Sequence, residues 1–240
     1  MKKAYAKAQK QVYPAHEHAR LCMPLAFIGG FLEAYTYLLK GSIFANAQTG
    51  NFALMAINFA YYRSPLKAAY YLIPICAYIL GIFLTTSLPA KLNGRRGRMS
   101  WYMMFIIIQF VALLCVGFIP PSVPYSVTTV TVAFLCAMQY NTFKSCRGLA
   151  MSTVFCTNNL RQLALSVADK AHGGRKGLVR RGIVYLLNIL CFVTGAAVSG
   201  ILINVLDKHD LGSEHSIWLC CLILIPAGIY LYINEKKERS

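Results

Sequence analysis

Residues 44–52 of the chain read Phe44-Ala-Asn-Ala-Gln-Thr-Gly-Asn-Phe52, and they decide the fold that the sequence predicts. They lie inside an uncharged stretch, residues 41–62, which is long enough to cross a hydrocarbon core of ~30 Å. The centre of this stretch is nevertheless polar and contains a glycine. A helix over residues 52–62 would measure about 16 Å, which is about half of that core. The stretch therefore predicts a broken, re-entrant segment whose short helix begins at membrane depth.

The composition of the whole chain is that of a membrane protein. Of the 240 residues, 57% are hydrophobic and 13% are charged, whereas soluble domains have about 45–50% apolar and about 25% charged residues. Six apolar runs are each long enough to span a bilayer. They cover residues 21–39, 68–90, 101–119, 124–143, 182–206 and 217–233. We predict an all-α integral membrane protein with six transmembrane helices.

Basic residues predict the orientation of the chain. The formal net charge is +16, but the lysines and arginines flank the apolar runs, which is typical of membrane topology and not of nucleic-acid binding. If both re-entrant segments crossed fully, the basic cluster at residues 91–98 would move outside. Six spans with cytoplasmic termini fit the charge rule better. The inside residues are then Lys2, Lys3, Lys7, Lys10, Arg20, Lys91, Arg95, Arg96, Arg98, Lys144, Arg147, Lys170, Arg175, Lys176, Arg180, Arg181, Lys236, Lys237 and Arg239.

These boundaries give one membrane domain over residues 21–234 between a basic cytoplasmic leader (1–20) and a basic cytoplasmic tail (235–240). We expect the leader to be retained, because no small-residue cleavage site follows it. The nine cysteines lie almost entirely in apolar runs, and the histidines do not cluster, so we expect neither a metal site nor a cofactor. No Ser-His-acid set, HExxH motif or phosphate-binding loop is found in the sequence, and we do not expect an enzyme.

A second copy of the opening motif lies 108 positions further along. Aligning Thr157 with Thr49 places Asn141 on Glu33 and divides the membrane domain into repeats of residues 21–119 and 124–234. Three spans per repeat is an odd number, so the repeats must face opposite ways in the bilayer. Inverted repeats with broken helices are a recurring transporter design, in which the solute binds between two half-helix N-termini near the midplane.

Two charged residues stand out within this plan. Glu33 is the only acidic residue well inside a predicted span. We interpret it either as a pathway or proton-coupling residue or as a structural acceptor for the adjacent hairpin, at Thr49 or Asn51. Arg161 follows the second motif, where a cation is unfavourable near a helix N-terminus. It has three interpretations: contact with an anionic ligand, structural pairing, for instance with Glu33, or snorkelling to the cytoplasmic surface.

The remaining candidates are polar residues at membrane depth. Gly50 permits a tight bend, and Thr49, Asn51, Thr157 and Asn158 are predicted N-caps of the two half-helices. The amides have an alternative role as interhelical hydrogen-bond donors. The complete candidate substrate-binding set is Glu33, Asn46, Gln48, Thr49, Gly50, Asn51, Gln139, Asn141, Thr157, Asn158, Asn159 and Arg161.

The motif Gly29-Gly-Phe-Leu-Glu-Ala34, followed by Phe44 and by Thr49-Gly50-Asn51, resembles the opening of the YoaK-like family of bacterial inner-membrane proteins. The resemblance covers residues 20–233 and implies a polytopic inner-membrane protein. The activity of that family is not settled, so the resemblance implies no substrate. Glu33 stands where an aspartate is common in the family, and Thr157-Asn-Asn159 stands where a second Thr-Gly pattern would be expected.

The sequence thus predicts a secondary transporter or channel for a small solute, and the paired N-termini with Arg161 favour an anion. The alternative is a non-transporting membrane scaffold whose polar motifs only pack helices together. The expected partners are the lipid bilayer and a small molecule or ion, without nucleic acid. A homo-oligomer is compatible with this plan.

Overall fold

The computed structural model describes residues 13–92, 99–171 and 178–239. Within these ranges the chain is almost entirely helical, as the composition predicts. The helices are α1 (Ala19–Leu39), α2 (Gln48–Ala60), α3 (Pro65–Tyr70), α4 (Leu72–Leu92), α5 (Trp101–Val116), α6 (Tyr125–Thr142), α7 (Thr157–Ala171), α8 (Leu178–Lys208) and α9 (Trp218–Arg239). Short 3-10 turns at Ala15–Glu17 and Ser213–Ile217 precede α1 and α9.

One part of the predicted cytoplasmic charge lies outside the described residues. It consists of Lys2, Lys3, Lys7, Lys10, Arg95, Arg96, Arg98, Arg175 and Lys176. A hairpin that the sequence did not predict joins α6 to the second motif. Its strands are β1 (Ser145–Cys146) and β2 (Leu149–Ala150), and they pair in antiparallel fashion.

Four of the described helical segments are long and apolar enough to cross a membrane. They are Ala19–Leu39, Pro65–Leu88, Val179–Lys208 and Ser213–Arg239. The other two predicted spans correspond to α5, which is a shorter apolar helix of 16 residues, and to α6, which carries several threonines and Gln139. The membrane class is therefore supported by four segments, and crossing by α5 and α6 stays a prediction.

Two helix pairs form the centre of the molecule, since α1 packs along α8 and α4 packs along α6. Glycines allow these close approaches. A Cβ added at Gly30 would overlap the carbonyl oxygen of Phe192, and a Cβ at Gly195 would overlap that of Phe27. In the second pair, a Cβ at Gly81 would lie 2.7 Å from the carbonyl oxygen of Phe134. Small residues permit such backbone contact between helices.

The main apolar core surrounds α1, which is buried on most of its surface. Side chains from α5, α6 and α9 pack against it, including Phe105, Leu135 and Leu224. The helix α5 packs on α9, and α7 packs on α8. By contrast, α2 buries only Asn51 and leaves its apolar side chains, such as Phe52 and Phe59, exposed. A soluble protein would rarely leave so much apolar surface uncovered.

Candidate functional site

The chain between α1 and α2 reverses at Gly41 and Ser42, and not at Gly50 as predicted. Gly41 and Ser42 have φ values of 77° and 56°, in the left-handed region that glycine adopts without strain. Gly50 lies inside the first turns of α2, where an added Cβ would come within 3.2 Å of the Phe44 ring. The role of Gly50 is therefore to let Phe44 pack over the start of this helix.

After the reversal, the chain returns to the middle of α1. The Phe44 ring stacks on Tyr37 with a centroid distance of 4.8 Å. Two residues later, Asn46 Nδ2 donates to the carbonyl oxygen of Gly29 at 3.0 Å. Gly29 is near the centre of the 21 residues of α1. The first motif therefore places the start of α2 beside the midpoint of a candidate span.

The segment before α7 approaches the same place. Gln139 Nε2, on α6, donates to Thr153 Oγ1 at 3.0 Å. The carbonyl oxygen of the next residue, Val154, accepts from Asn46 Nδ2 at 3.2 Å. A Cβ at Gly29 would overlap the carbonyl oxygen of Thr153. The segment before α2 and the segment before α7, here called the returning segments, therefore touch each other. They do so at positions 46 and 154, which are 108 residues apart.

Equivalent hydrogen bonds occur at the starts of α2 and α7, the two short helices that follow the motifs. Asn51 Nδ2 donates to the carbonyl oxygen of Phe44 at 2.7 Å, and Asn159 Nδ2 donates to that of Ser152 at 2.7 Å. Both asparagines are fully buried, and both pairs span seven residues. Asn159 also donates to Asn188 Oδ1, on α8, at 2.6 Å. The alignment of the two motifs by sequence is thus matched by equivalent bonds.

These bonds differ from the predicted caps. The N-cap of α2 is Ala47, without a side-chain bond, so Thr49 and Asn51 are not N-caps. Thr157 is the first residue of α7 and Asn158 the second, so both lie inside that helix. The buried asparagines fix the loop behind each helix instead of capping its first turn.

Two further amides hold the long helices together. Gln139 is fully buried, donates to the carbonyl oxygen of Leu25 at 2.9 Å and accepts from Gln109 Nε2 at 2.8 Å. Asn141 Nδ2 donates to Thr85 Oγ1 and Thr86 Oγ1, on α4, at 2.9 and 3.0 Å. The alternative role predicted for these amides, interhelical hydrogen bonding, describes both of them.

The sequence alignment pairs Glu33 with Asn141, and the two residues make different contacts. Gly195 packs on the carbonyl oxygen of Phe27, and Gly81 packs on that of Phe134, which follows Phe27 by 107 positions. This spacing is one residue shorter than the offset of 108 that aligns the two motifs. Asn141 contacts α4, whereas the carboxylate of Glu33 contacts the first motif.

Glu33 does accept a hydrogen bond from the hairpin, but neither from Thr49 nor from Asn51. Its Oε2 accepts the backbone N–H of Asn46 at 3.0 Å. The carboxylate also lies near enough to Cys156, the residue before α7, to interact with that thiol electrostatically. None of the ion pairs formed by the described residues includes Glu33. A partly buried carboxylate thus lies close to the starts of both short helices without a cationic partner.

The other candidates on the first turns of α2 and α7 are more open. Gln48 is partly buried, donates to the carbonyl oxygen of Ala45 at 2.8 Å and accepts from Asn51. Thr49, Thr157, Asn158 and Arg161 are exposed. The suggested pairing of Arg161 with Glu33 is not formed. Polar side chains at the start of both short helices are therefore accessible.

Sequence reasoning missed four residues that complete the hydrogen-bond network. They are Thr85, Gln109, Thr153 and Asn188. Gln109 and Asn188 are polar amides inside predicted spans, and that signal could have identified them. No group of three or more metal-binding side chains is found in the described ranges.

Comparison with known proteins gives one match. The family model described as "Protein of unknown function (DUF1275)" matches residues 21–230, which is most of the chain. No curated protein and no solved structure matches at a significant level. The match agrees with the predicted membership of an uncharacterised family, while the YoaK-like name and a bacterial origin stay predictions. The chain belongs to the DUF1275 family of proteins of unknown function.

Proposed function

We propose that this protein is a secondary transporter or channel for a small solute, built from two inverted repeats with one re-entrant half-helix each. The packing of the long helices supports the repeat. The first helix of each half, α1 or α6, packs along the second long helix of the other half, α8 or α4. The third helices, α5 and α9, pack on each other. An exchange of this kind is the arrangement that a two-fold axis between the halves would produce.

The observation that carries the proposal is the meeting of the two returning segments beside the middle of α1. Asn46 binds Gly29 and Val154 with one amide group, so both segments and the span are joined at one point. Irregular backbone at membrane depth is tolerated only where it is buried in protein or lines a water-filled cavity. Here the segments are buried, whereas the first turns of the helices that follow carry exposed polar groups.

These exposed groups favour a water-filled path. Thr49 on α2 and Thr157, Asn158 and Arg161 on α7 would be unfavourable in lipid, since arginine alone costs about 2.5–3.5 kcal/mol at the centre of a membrane. Water on both sides of the central contact removes this cost. We therefore divide the candidate set. The residues that maintain the fold are Asn46, Gln48, Gly50, Asn51, Gln139, Asn141 and Asn159, and those that face the solute path are Glu33, Thr49, Thr157, Asn158 and Arg161.

Contacts at the two ends of the molecule support the proposed orientation, with both termini in the cytoplasm. At one end, Glu17 accepts hydrogen bonds from Ser145 Oγ and the N–H of Gly148, beside the basic residue Arg147. At the other end, Lys40, the residue after α1, lies 3.8 Å from Glu214 in the 3-10 turn before α9. The excess of basic residues lies at the first end, which the charge rule assigns to the cytoplasm.

Flux through proteoliposomes tests the proposal. Purified protein is reconstituted, and the movement of sodium, methylammonium and chloride is compared with that in protein-free vesicles. We expect at least one probe to move faster, and we expect Glu33→Gln to slow it at least about tenfold. Asp169→Asn is the matched control, because it makes the same acid-to-amide exchange at an exposed position of α7. Flux equal to that of empty vesicles for every probe would refute the proposal.

A membrane scaffold is the second candidate, and the internal hydrogen bonds favour it. The donors of Asn51, Gln139 and Asn159 all bind groups of the protein itself, as expected for residues that only lock helices together. In a scaffold, replacement of Glu33 would change stability without changing the permeability of vesicles to any of the three probes.

A further inference from the structure

Two acceptor groups near the contact of the returning segments are incompletely satisfied, since the Glu33 carboxylate has no cationic partner among the described residues and Asn46 Oδ1 has no donor. Glu33 Oε2 binds the N–H of Asn46, but no described lysine, arginine or histidine pairs with this carboxylate. Asn46 is fully buried, and its Nδ2 donates to two carbonyl oxygens. Its Oδ1 is buried and has no hydrogen-bond partner. A buried acceptor without a donor is unfavourable, and so is an unpaired charge inside a membrane.

The two groups lie within about 8 Å of each other. The backbone nitrogen of Asn46 lies 3.0 Å from Glu33 Oε2, and bond lengths keep Asn46 Oδ1 within about 5 Å of that nitrogen. The Glu33 side chain is not completely buried. The half-positive N-terminus of α2 does not neutralise a full negative charge. The site is therefore rich in oxygen acceptors, and it is negative in charge when Glu33 is ionised.

We propose that a monovalent cation, sodium or ammonium, binds between the Glu33 carboxylate and Asn46 Oδ1 and is carried or coupled by the transporter. Carboxylate and amide oxygens are the ligands that hard cations prefer, and they equally accept hydrogen bonds from an ammonium ion. A cation here pairs the carboxylate and gives Asn46 Oδ1 its missing partner. The negative charge of Glu33 would repel an anion. This site therefore favours a cation, whereas Arg161 suggests an anion.

Binding is tested on the solubilised full-length protein. Thermal unfolding is followed as sodium chloride or ammonium chloride replaces choline chloride at constant ionic strength. We expect the Tm of the wild type to rise with the concentration of one of the two cations. Glu33→Gln keeps an oxygen acceptor for the N–H of Asn46 but removes the charge, so its apparent affinity should fall at least about tenfold. Asp169→Asn should respond like the wild type.

A second measurement serves if Glu33→Gln fails to fold. Cys156 is half-buried and lies near the Glu33 carboxylate, whereas Cys115 is exposed on α5. In the wild type, the binding cation should change the rate at which Cys156 is alkylated by at least about twofold, and it should leave Cys115 unchanged. The proposal is overturned if sodium and ammonium change neither the Tm nor the alkylation rate of Cys156 relative to choline. It is also overturned if a folded Glu33→Gln variant responds to the cation as strongly as the wild type.

The physiological role of this site rests on the proposed transport function, but its occupancy does not. A cation-dependent Tm without flux of any probe would refute transport and leave the site standing. Flux without a cation-dependent Tm would refute the cation site and leave the proposed transport function standing.

Discussion

The two buried asparagines of the motifs are the clearest single-residue test of the repeat. Asn51→Ala removes the donor of the Phe44 carbonyl, and Asn159→Ala removes donors from Ser152, Phe155 and Asn188. Leaving buried acceptors unpaired costs about 1–3 kcal/mol. We expect a lower free energy of unfolding in both variants, with the larger loss for Asn159→Ala. Chemical denaturation in detergent micelles measures it.

Thr49→Ala is the control for these two variants. Thr49 is exposed in the same turn as Asn51, and exposed substitutions usually change stability by less than about 0.5 kcal/mol. A loss for Thr49→Ala as large as that for Asn51→Ala would contradict the structural role of the buried amides.

His16, in the 3-10 turn before α1, should make the stability of the protein depend on acid pH. Its ring stacks on Tyr102 at a centroid distance of 3.7 Å, and burial lowers the pKa of His16 below 6.5 although Glu17 opposes this. The unfolded chain therefore binds the proton more readily. Stability should fall as the pH falls below 6.5.

His16→Phe keeps the stacked ring and removes the titration. The free energy of unfolding of this variant, measured over the same range, should depend less on pH than that of the wild type. An equal or steeper dependence would show that other groups cause the acid sensitivity.

Single residues show how far the sequence was informative. The equivalence of Asn51 and Asn159 follows from spacing alone, because both follow their threonine by two positions. The hydrogen-bond donor of Glu33 could not be predicted from spacing, because spacing does not reveal which backbone N–H points toward α1. Asn46 was a candidate, but its bonds to Gly29 and Val154 depend on two distant segments meeting.

At the scale of helices, glycines determine how closely α1 and α8 pack. Gly195→Ala would place a methyl group on the carbonyl oxygen of Phe27, so the helices must separate. Overpacking of this kind costs about 1–3 kcal/mol or more. We expect a lower Tm and a smaller monodisperse peak in size-exclusion chromatography.

Gly200→Ala is the matched control on the same helix. A Cβ at Gly200 would only come within 3.8 Å of a Leu38 methyl group, which is ordinary contact. Its Tm should equal or exceed that of the wild type, because alanine favours helix over glycine. If Gly200→Ala were as harmful as Gly195→Ala, the proposed crossing of α1 and α8 would be wrong.

The helices were predictable and their connections were not. Long apolar runs predicted α1 and α8 to within a few residues. The start of α2 was misplaced by four residues, because Gln48, Thr49 and Gly50 are weak helix formers whose place in the first turn depends on tertiary contacts. The hairpin of β1 and β2 has too few residues for an alternating pattern, and its contacts with Glu17 form only in the folded chain.

At the scale of the whole molecule, the packing of α1 along α8 and of α4 along α6 unites these observations. In the proposed repeat, each half supplies a long helix to the other. This arrangement joins amides from distant parts of the chain, since Gln139 binds Gln109 and Asn159 binds Asn188. The first turns of α2 and α7 carry exposed polar side chains, including Thr49 and Asn158.

Sidedness of the two short helices tests this account most directly. In a cysteine-free background, Thr49→Cys and Asn158→Cys are reconstituted in sealed vesicles of known orientation and treated with a membrane-impermeant maleimide. Both positions are exposed, so the substitutions should not disturb the fold. The account predicts that position 49 reacts only from the outside and position 158 only from the cytoplasmic side. Labelling of both positions from one side, or of neither from any side, would contradict it.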